Sequence, residues 1–403
     1  MLDRSDVLEA RPRVRETSRR TPLEFSHTYS AMTGADVHLK LETFQRTGAF
    51  KIRGATNRIA TLSAEQKAAG VVTASAGNHA QGVALAASRA GVDSKIVMPE
   101  YAPISKVKAT RNYGAEVVLD GADYDEAAER AHEIEREEGR TYVHAFDDEQ
   151  VMAGQGTIGL EIAEDCPDVE TVVVPIGGGG LISGIAAAIK GENPDTRIIG
   201  VQAEGAASAA RSLETGERVS LEGVDTIADG IATRSVGERT FAHIREYVDE
   251  VVTVSDPEIA VATVYLLERS KTVVEGAGAV PLAALLFEAF EYEPDETIVP
   301  VLSGGNVDLN TLTNVIVRGL VETGRYLKIR TVLTDRPGSL ERLLEIFTAH
   351  RANIYAIYHD RTSRDVEMSD TEVEIELEMR GPDHVEAFLA DLREAGYEVD
   401  VLV

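Results

Sequence analysis

The sequence predicts an α/β protein with parallel sheets covered by helices on both faces, followed by a smaller α+β domain. Short apolar runs alternate with segments of helical periodicity between Val37 and Val301. Several runs are unbroken stretches of Val and Ile, as strands buried on both faces require. After Thr323 the pattern changes to strands in which apolar and polar residues alternate. The 403 residues are also too many for one ordinary core, which indicates two or three domains.

Strands and helices alternate along the first part of the chain. The predicted strands are Val37–Leu41, Gly70–Thr73, Lys95–Met98, Glu116–Leu119, Thr171–Ile176, Arg197–Gln202, Glu250–Val254 and Thr297–Leu302. The predicted helices are Asn78–Ala90, Asp123–Glu138, Leu181–Lys190, Pro257–Leu267 and Gly278–Ala289. Because this alternation is typical of parallel sheets, we expect ligands to bind at the carboxyl ends of the strands.

Residues 326–403 are predicted to form the separate domain, with elements in the order βαββαβ. The segment Thr371–Met379 alternates throughout, with apolar side chains on one face and glutamates on the other. Helical stripes precede and follow it, and Arg361–Asp370 is expected to be an exposed loop. We therefore predict two domains, residues 1–322 and residues 326–403.

The composition is strongly acidic. The 40 basic and 68 acidic residues give a net charge of −28, which repels phosphate backbones and argues against nucleic acid as a partner. The acidity is spread along the chain, as is typical of halophilic proteins, whose self-repulsion is screened by salt. One cysteine, Cys166, fits a reducing cytoplasm. No signal peptide or metal-ligand spacing is visible, and the longest apolar run, Ala279–Phe287, is too short to span a membrane.

Lys51 is the first candidate catalytic residue. It lies in the segment Thr47–Ala55, between Gly48 and Gly54, where a helical stripe begins. A helix N-terminus disfavours an ammonium group and lowers its pKa. A neutral lysine amine can form a Schiff base with an aldehyde cofactor.

Three further motifs follow predicted strands. Ser75–Gly82 (SAGNHAQG) presents loop amides at a helix start, which suit a carboxylate, and Asn78 adds an amide donor. Pro175–Leu181 (PIGGGGL) has four consecutive glycines, and a backbone without Cβ atoms can wrap around a phosphate. Ser303–Asn306 (SGGN) follows the last strand of the predicted sheet, and its serine hydroxyl can donate to an uncharged ring nitrogen.

In this order, the four motifs resemble those of the fold-type II pyridoxal phosphate (PLP) enzymes, and within them the threonine dehydratases, also called threonine ammonia-lyases. Four shorter segments add to the resemblance: TPL at Thr21–Leu23, KLE at Lys40–Glu42, TIADGIA at Thr226–Ala232 and EGAGA at Glu275–Ala279. The resemblance covers about residues 10–320. It implies two open twisted parallel sheets, as in the tryptophan synthase β fold, with a smaller subdomain at about residues 43–147 inserted in the larger one.

The resemblance also implies a role for each motif. Lys51 is the Schiff-base lysine and the base that removes the Cα proton. The cofactor is further held by Asn78 at the ring hydroxyl oxygen, by Ser303 at the pyridine nitrogen, and at its phosphate by the amides of Gly177, Gly178, Gly179, Gly180 and Leu181. The loop that binds the substrate carboxylate consists of Ser75, Ala76, Gly77, Asn78, His79 and Gln81.

The implied reaction converts L-threonine to 2-oxobutanoate and ammonia. A neutral Ser303 gives a weaker electron sink than an aspartate would, which favours β-elimination over transamination or racemisation. Ala76 stands where related serine racemases carry a second serine; it has no proton to give, so we expect negligible racemisation. Gln202 and Ser208 stand where some relatives bind a divalent cation through acidic residues, so no metal is expected.

The C-terminal segment resembles an ACT domain, a small-molecule sensor fused to enzymes of amino-acid metabolism. Its candidate regulatory residues are Arg336, Pro337, Gly338 and Ser339, because backbone amides near Gly338 can receive the carboxylate of an amino acid. The hypothesis is that isoleucine or valine binds there and alters activity; the alternative is that the domain only dimerises. We expect a cytoplasmic homodimer or homotetramer.

Other functions stay open at this stage. L-Serine dehydratase is the nearest, since pocket size decides between substrates that differ by one methyl group. A non-catalytic amino-acid sensor on an inactive enzyme fold is disfavoured by the intact Lys51 and glycine run. A dinucleotide-binding oxidoreductase would need a GxGxxG loop and a downstream acid in an early βαβ unit, and neither is visible. The sequence does not choose between isoleucine biosynthesis and threonine degradation.

Overall fold

Two β-sheets form the framework of residues 1–308, one of the two units into which the chain divides. The computed structural model describes residues 1–361, 367 and 369–403. In chain order the strands of the first unit are β1 (Leu23–Phe25), β2 (Asp36–Leu41), β3 (Val71–Ala74), β4 (Ser94–Met98), β5 (Glu116–Leu119), β6 (Thr141–Tyr142), β7 (Thr171–Pro175), β8 (Arg197–Ala203), β9 (Glu250–Val254) and β10 (Thr297–Leu302). The six-stranded sheet has the order β1-β2-β10-β7-β8-β9, and the four-stranded sheet the order β5-β4-β3-β6.

Both sheets are parallel except at one edge, where β1 pairs antiparallel with β2. Every residue of β7 is buried. Val173 packs into the core on one face of the sheet, while Val172 and Val174 pack into the core on the other face. A strand buried on both sides has no solvent-facing position, which explains its continuous run of valines. The predicted α/β class with parallel sheets is thereby confirmed.

Helices cover both sheets. In chain order they are α1 (Arg4–Arg15), α2 (His27–Thr33), α3 (Lys51–Ala60), α4 (Ala64–Ala69), α5 (Asn78–Ala90), α6 (Ile104–Asn112), α7 (Tyr124–Glu138), α8 (Glu149–Asp165), α9 (Gly180–Lys190), α10 (Ser208–Thr215), α11 (Glu238–Tyr247), α12 (Asp256–Arg269) and α13 (Gly276–Leu286). Among the described residues, no helix has the length and apolar character needed to cross a bilayer.

Helix α8 is buried along most of its length and packs against both α3 and α9. Its glycines allow these helices to approach very closely. A Cβ atom on Gly154 would lie 2.6 Å from the carbonyl oxygen of Arg53 in α3, and one on Gly156 would lie 2.6 Å from that of Gly184 in α9. Because real Cβ contacts are not that short, the three helices fit together only while these positions carry no side chain.

A buried network of four charged side chains includes Arg53 of α3. Arg53 donates to both oxygens of Glu42, at 2.7 and 2.9 Å, and to both oxygens of Glu161, at 2.8 and 2.9 Å. The Nζ of Lys40 donates to Glu161 at 2.7 Å and to the carbonyl oxygen of Thr21 at 2.9 Å. Two cations balance two anions, and each charge has partners, as burial requires. The network ties β2 and α8 to the helix that begins with Lys51.

The second unit, residues 309–403, is an antiparallel sheet with helices. Its elements are α14 (Leu309–Glu322), β11 (Tyr326–Thr334), α15 (Ser339–His350), β12 (Asn353–Asp360), β13 (Asp370–Glu378), α16 (Pro382–Glu394) and β14 (Val399–Val401). The sheet order is β12-β13-β11-β14. From β11 onward the elements follow the predicted βαββαβ order. The structure groups α14 with the second unit. The predicted domain boundary at residues 322–326 stays a prediction.

Alternation along β13 separates its two faces. Val373, Ile375 and Leu377 are fully buried against the helices, whereas the glutamates between them are partly exposed. On the charged face Lys328 of β11 lies 2.9 Å from Glu374. Of the predicted loop Arg361–Asp370, residues 362–366 and 368 lie outside the described residues.

Candidate active site

One cavity of about 610 Å³ lies at the carboxyl ends of β3, β6, β7 and β10. Its wall includes Lys51, the glycines Gly177–Gly180 with Leu181, and Ser303. Ser75, Gly77, Asn78 and His79 also line it. Residues from distant parts of the sequence therefore meet in one place, as the order of strands and helices predicted. Ala76 and Gln81 are not part of this wall; Gln81 is buried within the first turns of α5.

Lys51 is the first residue of α3, and its side chain reaches into the cavity. Its Nζ donates a hydrogen bond to the carbonyl oxygen of Ala145 at 3.0 Å and lies 5.1 Å from the ring centre of Phe50. Burial lowers the pKa of Lys51 to about 8, while the carboxylate of Glu275 opposes the change. The sequence predicted this direction from the helix start, whereas in the structure the cause of the lowering is desolvation. A lowered pKa leaves more of the amine neutral and nucleophilic.

The glycine run forms the turn from β7 into α9. Gly179 has φ = +93° and stands before the first residue of the helix, a conformation that favours glycine. A Cβ on Gly180 would lie 2.9 Å from the Cα of Phe146, and one on Gly178 would overlap the Phe146 ring. No side chain caps the N-terminus of α9. The amides of this turn can therefore bind a phosphate, and the helix dipole favours the negative charge.

Two hydrogen bonds hold the turn in place from behind. The hydroxyl of Thr240 in α11 donates to the carbonyl oxygen of Gly178 at 2.6 Å, and the amide of Gly237 donates to the same oxygen at 3.3 Å. The carbonyl oxygen of Gly178 thus accepts both hydrogen bonds from within the chain.

The loop after β3 leads into α5, whose first residue is Asn78. Gly77 precedes the helix without a side-chain cap, and its own amide donates to the Ser75 hydroxyl at 3.1 Å. His79 Nε2 pairs with the carbonyl oxygen of Val143 at 2.9 Å, which makes Nε2 the protonated nitrogen. Burial lowers the pKa of His79 to about 3, so the imidazole is neutral. The open helix start is suited to a carboxylate.

Asn78 is fixed by hydrogen bonds at both ends of its amide. Its Nδ2 donates to Oε1 of Glu275 at 2.7 Å, and its Oδ1 accepts from Nδ2 of Asn306 at 2.8 Å. Asn306 also donates to the carbonyl oxygen of Thr47 at 2.5 Å. Glu275 belongs to the quoted EGAGA segment, but the sequence analysis gave it no role. Burial raises the pKa of Glu275 to about 7.

Ser303 directly follows β10 and is 2% exposed. Its carbonyl oxygen accepts from the amide of Phe50 at 3.1 Å, and the amide of Gly305 donates to the carbonyl oxygen of Gly48 at 2.8 Å. These backbone bonds join the SGGN segment to the segment that carries Lys51. Backbone hydrogen bonds therefore connect the candidate partner of a ring nitrogen to the segment of the candidate nucleophile.

Two exposed residues at the edge of the cavity were also missed by the sequence analysis. Arg234 donates from Nη1 to Oδ2 of Asp125 at 3.1 Å, and both residues line the cavity with Tyr124. Asp125 belongs to α7, beside the four-stranded sheet, whereas Arg234 lies in the loop before α11. No sequence motif marks this pair, because only the fold brings the two residues together.

Gln202 and Ser208, which the sequence placed at cation-binding positions of relatives, lie outside the cavity wall. The Gln202 amide donates to the carbonyl oxygens of Ile176 and Ala206, and accepts from the amides of Ala209 and Ala210. Across the residues that the structure describes, no group of three or more His, Cys, Asp or Glu side chains could hold a metal ion.

Of the candidate regulatory residues, Arg336, Pro337 and Gly338 lie between β11 and α15 in the second unit, and Ser339 is the first residue of α15. Gly338 has φ = +88° and precedes α15, which has no side-chain cap. Asp335 accepts two hydrogen bonds from the Arg361 guanidinium, at 2.8 and 3.1 Å. Arg361 lowers the pKa of Asp335 through these bonds. The ion pair fixes one end of the loop that contains Arg336–Ser339.

Comparison with known proteins identifies the class to which this fold and site belong. The model of the family described as pyridoxal-phosphate dependent enzyme matches residues 14–304. That range contains Lys51, the glycine turn and Ser303. The chain therefore belongs to the family of pyridoxal-phosphate dependent enzymes.

The chain's relatives narrow this class to lyases. It is 52% identical to an L-threonine ammonia-lyase of Geobacter sulfurreducens and 48% identical to one of Thermotoga maritima, in each case over 100% of both chains. Among solved structures, the processed form of threonine deaminase isoform 2 from Solanum lycopersicum is 43% identical, with a TM-score of 0.75. This match covers 77% of the present chain and 90% of the tomato chain.

Proposed function

We propose that the protein is an L-threonine ammonia-lyase, which converts L-threonine to 2-oxobutanoate and ammonia. The observation that carries this proposal is the single cavity shared by Lys51 and the Gly177–Gly180 turn. The amides of the turn are unobstructed and can bind the phosphate group. The neutral amine of Lys51 can react with the aldehyde. The residues present therefore fit pyridoxal phosphate.

Each residue of the wall has one task in this proposal. The amides of Gly177–Leu181 bind the phosphate, Asn78 donates to the ring hydroxyl oxygen, and Ser303 donates to the ring nitrogen. When bound, the cofactor withdraws electrons from the bond to the substrate Cα. The substrate carboxylate lies at the uncapped start of α5, in the loop Ser75–His79 with Gln81 behind it.

Lys51 takes the proton from the substrate Cα. Its Nζ lies 3.0 Å from the carbonyl oxygen of Ala145. Lys51 begins α3, and the buried ion pairs of Arg53 hold this helix in place. The Cβ–O bond then breaks, and the hydroxyl group takes up one proton and leaves as water, so that over the whole step the proton taken from Cα by Lys51 is balanced by the one in the water. The released enamine tautomerises and is hydrolysed to 2-oxobutanoate and ammonia. A neutral Ser303 weakens electron withdrawal compared with a carboxylate, which favours this prompt elimination.

Ala76 supports elimination without racemisation, because a methyl side chain supplies no proton to the opposite face of Cα. We expect no D-threonine or D-allothreonine from L-threonine, and no D-serine from L-serine. Chiral chromatography of the reaction mixture would measure these products, and their accumulation would contradict this part of the proposal.

The second unit acts as an amino-acid sensor of the ACT type in this proposal. The supporting features are its βαββαβ order and the uncapped start of α15 at Gly338. Isoleucine or valine would place its carboxylate near Arg336–Ser339 and change the activity. Because α14 groups with this unit, a truncation should end at Asp308. Full effector response in that truncated protein would argue against the proposal.

The proposal extends to the setting of the enzyme. A homodimer or homotetramer is expected, and gel filtration with light scattering measures the oligomeric state. The cytoplasm suits a protein with one buried free cysteine, Cys166. The net charge of −28 suits high salt, where screening reduces self-repulsion. A role in isoleucine biosynthesis follows if isoleucine inhibits the enzyme.

The central experiment combines absorption and product formation. Purified protein with pyridoxal phosphate should show a visible absorption band that threonine perturbs, and threonine should yield 2-oxobutanoate. Lys51→Ala should abolish both the threonine response and the product, whereas Lys108→Ala, at an exposed position of α6, should change neither. Faster turnover of serine than threonine would favour the alternative, an L-serine dehydratase. Cofactor binding without turnover of either substrate would favour a non-catalytic sensor.

A further inference from the structure

Glu275 is a half-buried residue in the cavity wall, and the proposed reaction does not use its carboxyl group. It precedes the first residue of α13, and its side chain makes no cap of that helix. Instead it accepts from Nδ2 of Asn78 at 2.7 Å, although the two residues are 197 positions apart in sequence. The carboxylate is therefore used to hold the side chain of Asn78, which lines the same cavity.

The backbone around Glu275 leaves room for its carboxylate. A Cβ on Gly304 would lie 2.6 Å from Oε1, and one on Gly230 would lie 3.3 Å from the same atom. The amide of Glu275 donates to the carbonyl oxygen of Gly304 at 3.1 Å, which fixes its main chain to the segment after β10. Its position is therefore determined by both backbone and packing.

The hydrogen bonds around Asn78 allow only one orientation of its amide. Oδ1 of Asn78 accepts from the side-chain NH2 group of Asn306, which can only donate. Nδ2 of Asn78 donates to the Glu275 carboxylate, which can only accept when it is ionised. A flipped amide would place its oxygen against the Glu275 carboxylate and its NH2 group against that of Asn306. Both contacts would be repulsive, so the second N–H of Asn78 has a fixed direction.

We propose that Glu275 is a positioning residue, which with Asn306 fixes the Asn78 amide so that its remaining N–H donates to the ring hydroxyl oxygen of the cofactor. This inference rests on the proposed function, since it needs a pyridoxal cofactor in the cavity. Without Glu275 only the bond from Asn306 holds the amide, so the amide is less restrained and presents its oxygen to the ring hydroxyl oxygen part of the time. Cofactor affinity falls for that reason, and it falls only for ligands that carry the ring hydroxyl.

The test uses binding to the full-length apoprotein, measured by calorimetry, with a probe that cannot react with Lys51. Pyridoxamine phosphate has the phosphate and the ring hydroxyl but no aldehyde. Glu275→Ala should weaken its binding about tenfold, the effect of losing one hydrogen bond to a charged group. The 3-deoxy analogue, which lacks the ring hydroxyl, should bind the variant and the wild type equally.

Three further variants complete the test. Glu275→Gln keeps an acceptor for Asn78 and should restore most of the affinity, while Glu65→Gln, at an exposed position of α4, controls for the lost charge. Asn306→Ala should weaken pyridoxamine phosphate binding as Glu275→Ala does. Because both act through Asn78, the double variant should lose less than the product of the two single effects.

Two results would overturn the inference. The first is that folded Glu275→Ala binds pyridoxamine phosphate as tightly as the wild type does. The second is that Glu275→Ala loses as much affinity for the 3-deoxy analogue as for pyridoxamine phosphate, since that would indicate a general structural defect. Thermal unfolding of the apoproteins shows which variants are folded, and Asn306→Ala carries the test if Glu275→Ala is not. A wild-type protein that binds neither probe nor pyridoxal phosphate would instead contradict the proposed function.

Discussion

Arg234 donates to Asp125 across the edge of the cavity, with 3.1 Å between Nη1 and Oδ2. One side chain comes from the loop before α11 and the other from the start of α7. Both are exposed and both line the cavity. The strength of an exposed ion pair depends on salt, because counterions screen it.

Arg234→Ala should raise the KM for threonine with little change in kcat. Exposed pairs contribute up to about 1 kcal/mol, so we expect an increase of at most about fivefold. The KM of the wild type should rise with added salt towards that of the variant, whereas the variant should show no such dependence. Steady-state kinetics at low and high salt measure both values. Arg234→Lys is the matched control, and an identical salt response of wild type and Arg234→Ala would contradict the prediction.

The pKa of Lys51 predicts how fast the apoprotein takes up its cofactor. Burial lowers this pKa to about 8, and the neutral amine is the nucleophile. The rate should therefore rise with pH and reach half its maximum near pH 8, well below the ordinary lysine pKa of about 10.4. Stopped-flow absorption after addition of pyridoxal phosphate measures the rate.

Two controls belong to that experiment. Lys51→Ala should show no pH-dependent uptake, and its turnover of threonine should fall by at least about 100-fold, the usual minimum for loss of a general base. Lys108→Ala should match the wild type. A rate that stays flat through neutral pH and rises only near the ordinary lysine pKa would show that the amine is not desolvated.

Gly178→Ala should weaken cofactor binding, because its Cβ would overlap the Phe146 ring. Overpacking a tight site costs about 1–3 kcal/mol, so we expect affinity to fall between about fivefold and 200-fold. Adding Phe146→Ala to this variant should restore part of the affinity by freeing the space. Gly223→Ala is the control, since no heavy atom lies within 4 Å of its Cβ position. Equal affinity of Gly178→Ala and wild type would mean that the turn does not hold the phosphate.

Arg53→Met should strongly destabilise the protein. The change leaves Glu42 and Glu161 buried without their main partner, and breaking a buried pair in this way costs about 3–5 kcal/mol. Urea unfolding followed by circular dichroism measures the loss. Arg58→Met, at a partly exposed ion pair with Asp148, is a matched control and should cost about 1 kcal/mol or less.

Wild type and Arg53→Met can also be compared as a function of pH. Arg53 is among the groups that lower the pKa of Glu161 in the folded state, so the stabilisation is present above the unfolded pKa of glutamate and is lost as the pH falls through the folded value. The difference in stability between wild type and Arg53→Met should therefore shrink in acid. A difference that stays constant down to low pH would show that the lost stability comes from packing and not from charge.

The buried strands were predictable, because a strand enclosed on both faces must consist of apolar residues. Thr297–Leu302 is such a strand, buried after its first residue, and it has the predicted bounds. The more exposed strands Glu116–Leu119 and Glu250–Val254 also have the predicted bounds. Two short strands, β1 and β6, escaped prediction, since Leu23–Phe25 and Thr141–Tyr142 are too short to show a period. Their positions depend on pairing with β2 and β3 rather than on their own sequence.

Helix α8 was missed for a different reason. Its sequence contains Gly154, Gly156 and Gly159, and glycines normally disfavour a helix by about 1 kcal/mol each. Here tertiary packing overrides that preference, because each glycine faces the backbone of another helix.

Within the site, the motifs identified residues that chemistry marks strongly, such as a lysine at a helix start or four glycines in a row. The role of Glu275 could not be predicted in the same way. It depends on a contact with Asn78, and nothing local in either segment indicates that the two meet. The Arg234–Asp125 pair is a second example, since exposed charges are common along the whole chain.

The tight contacts of α8 limit how this enzyme can be redesigned. The helix touches the backbone of α3, which begins with Lys51, and that of α9, which follows the turn proposed to bind the phosphate, so a bulkier α8 would displace both helices and change the spacing between Lys51 and the turn. Selection for bulkier amino-acid substrates should accordingly leave α8 untouched and accumulate substitutions in the loops that line the cavity. A library that varies only those loops would sample new specificities without disturbing the spacing.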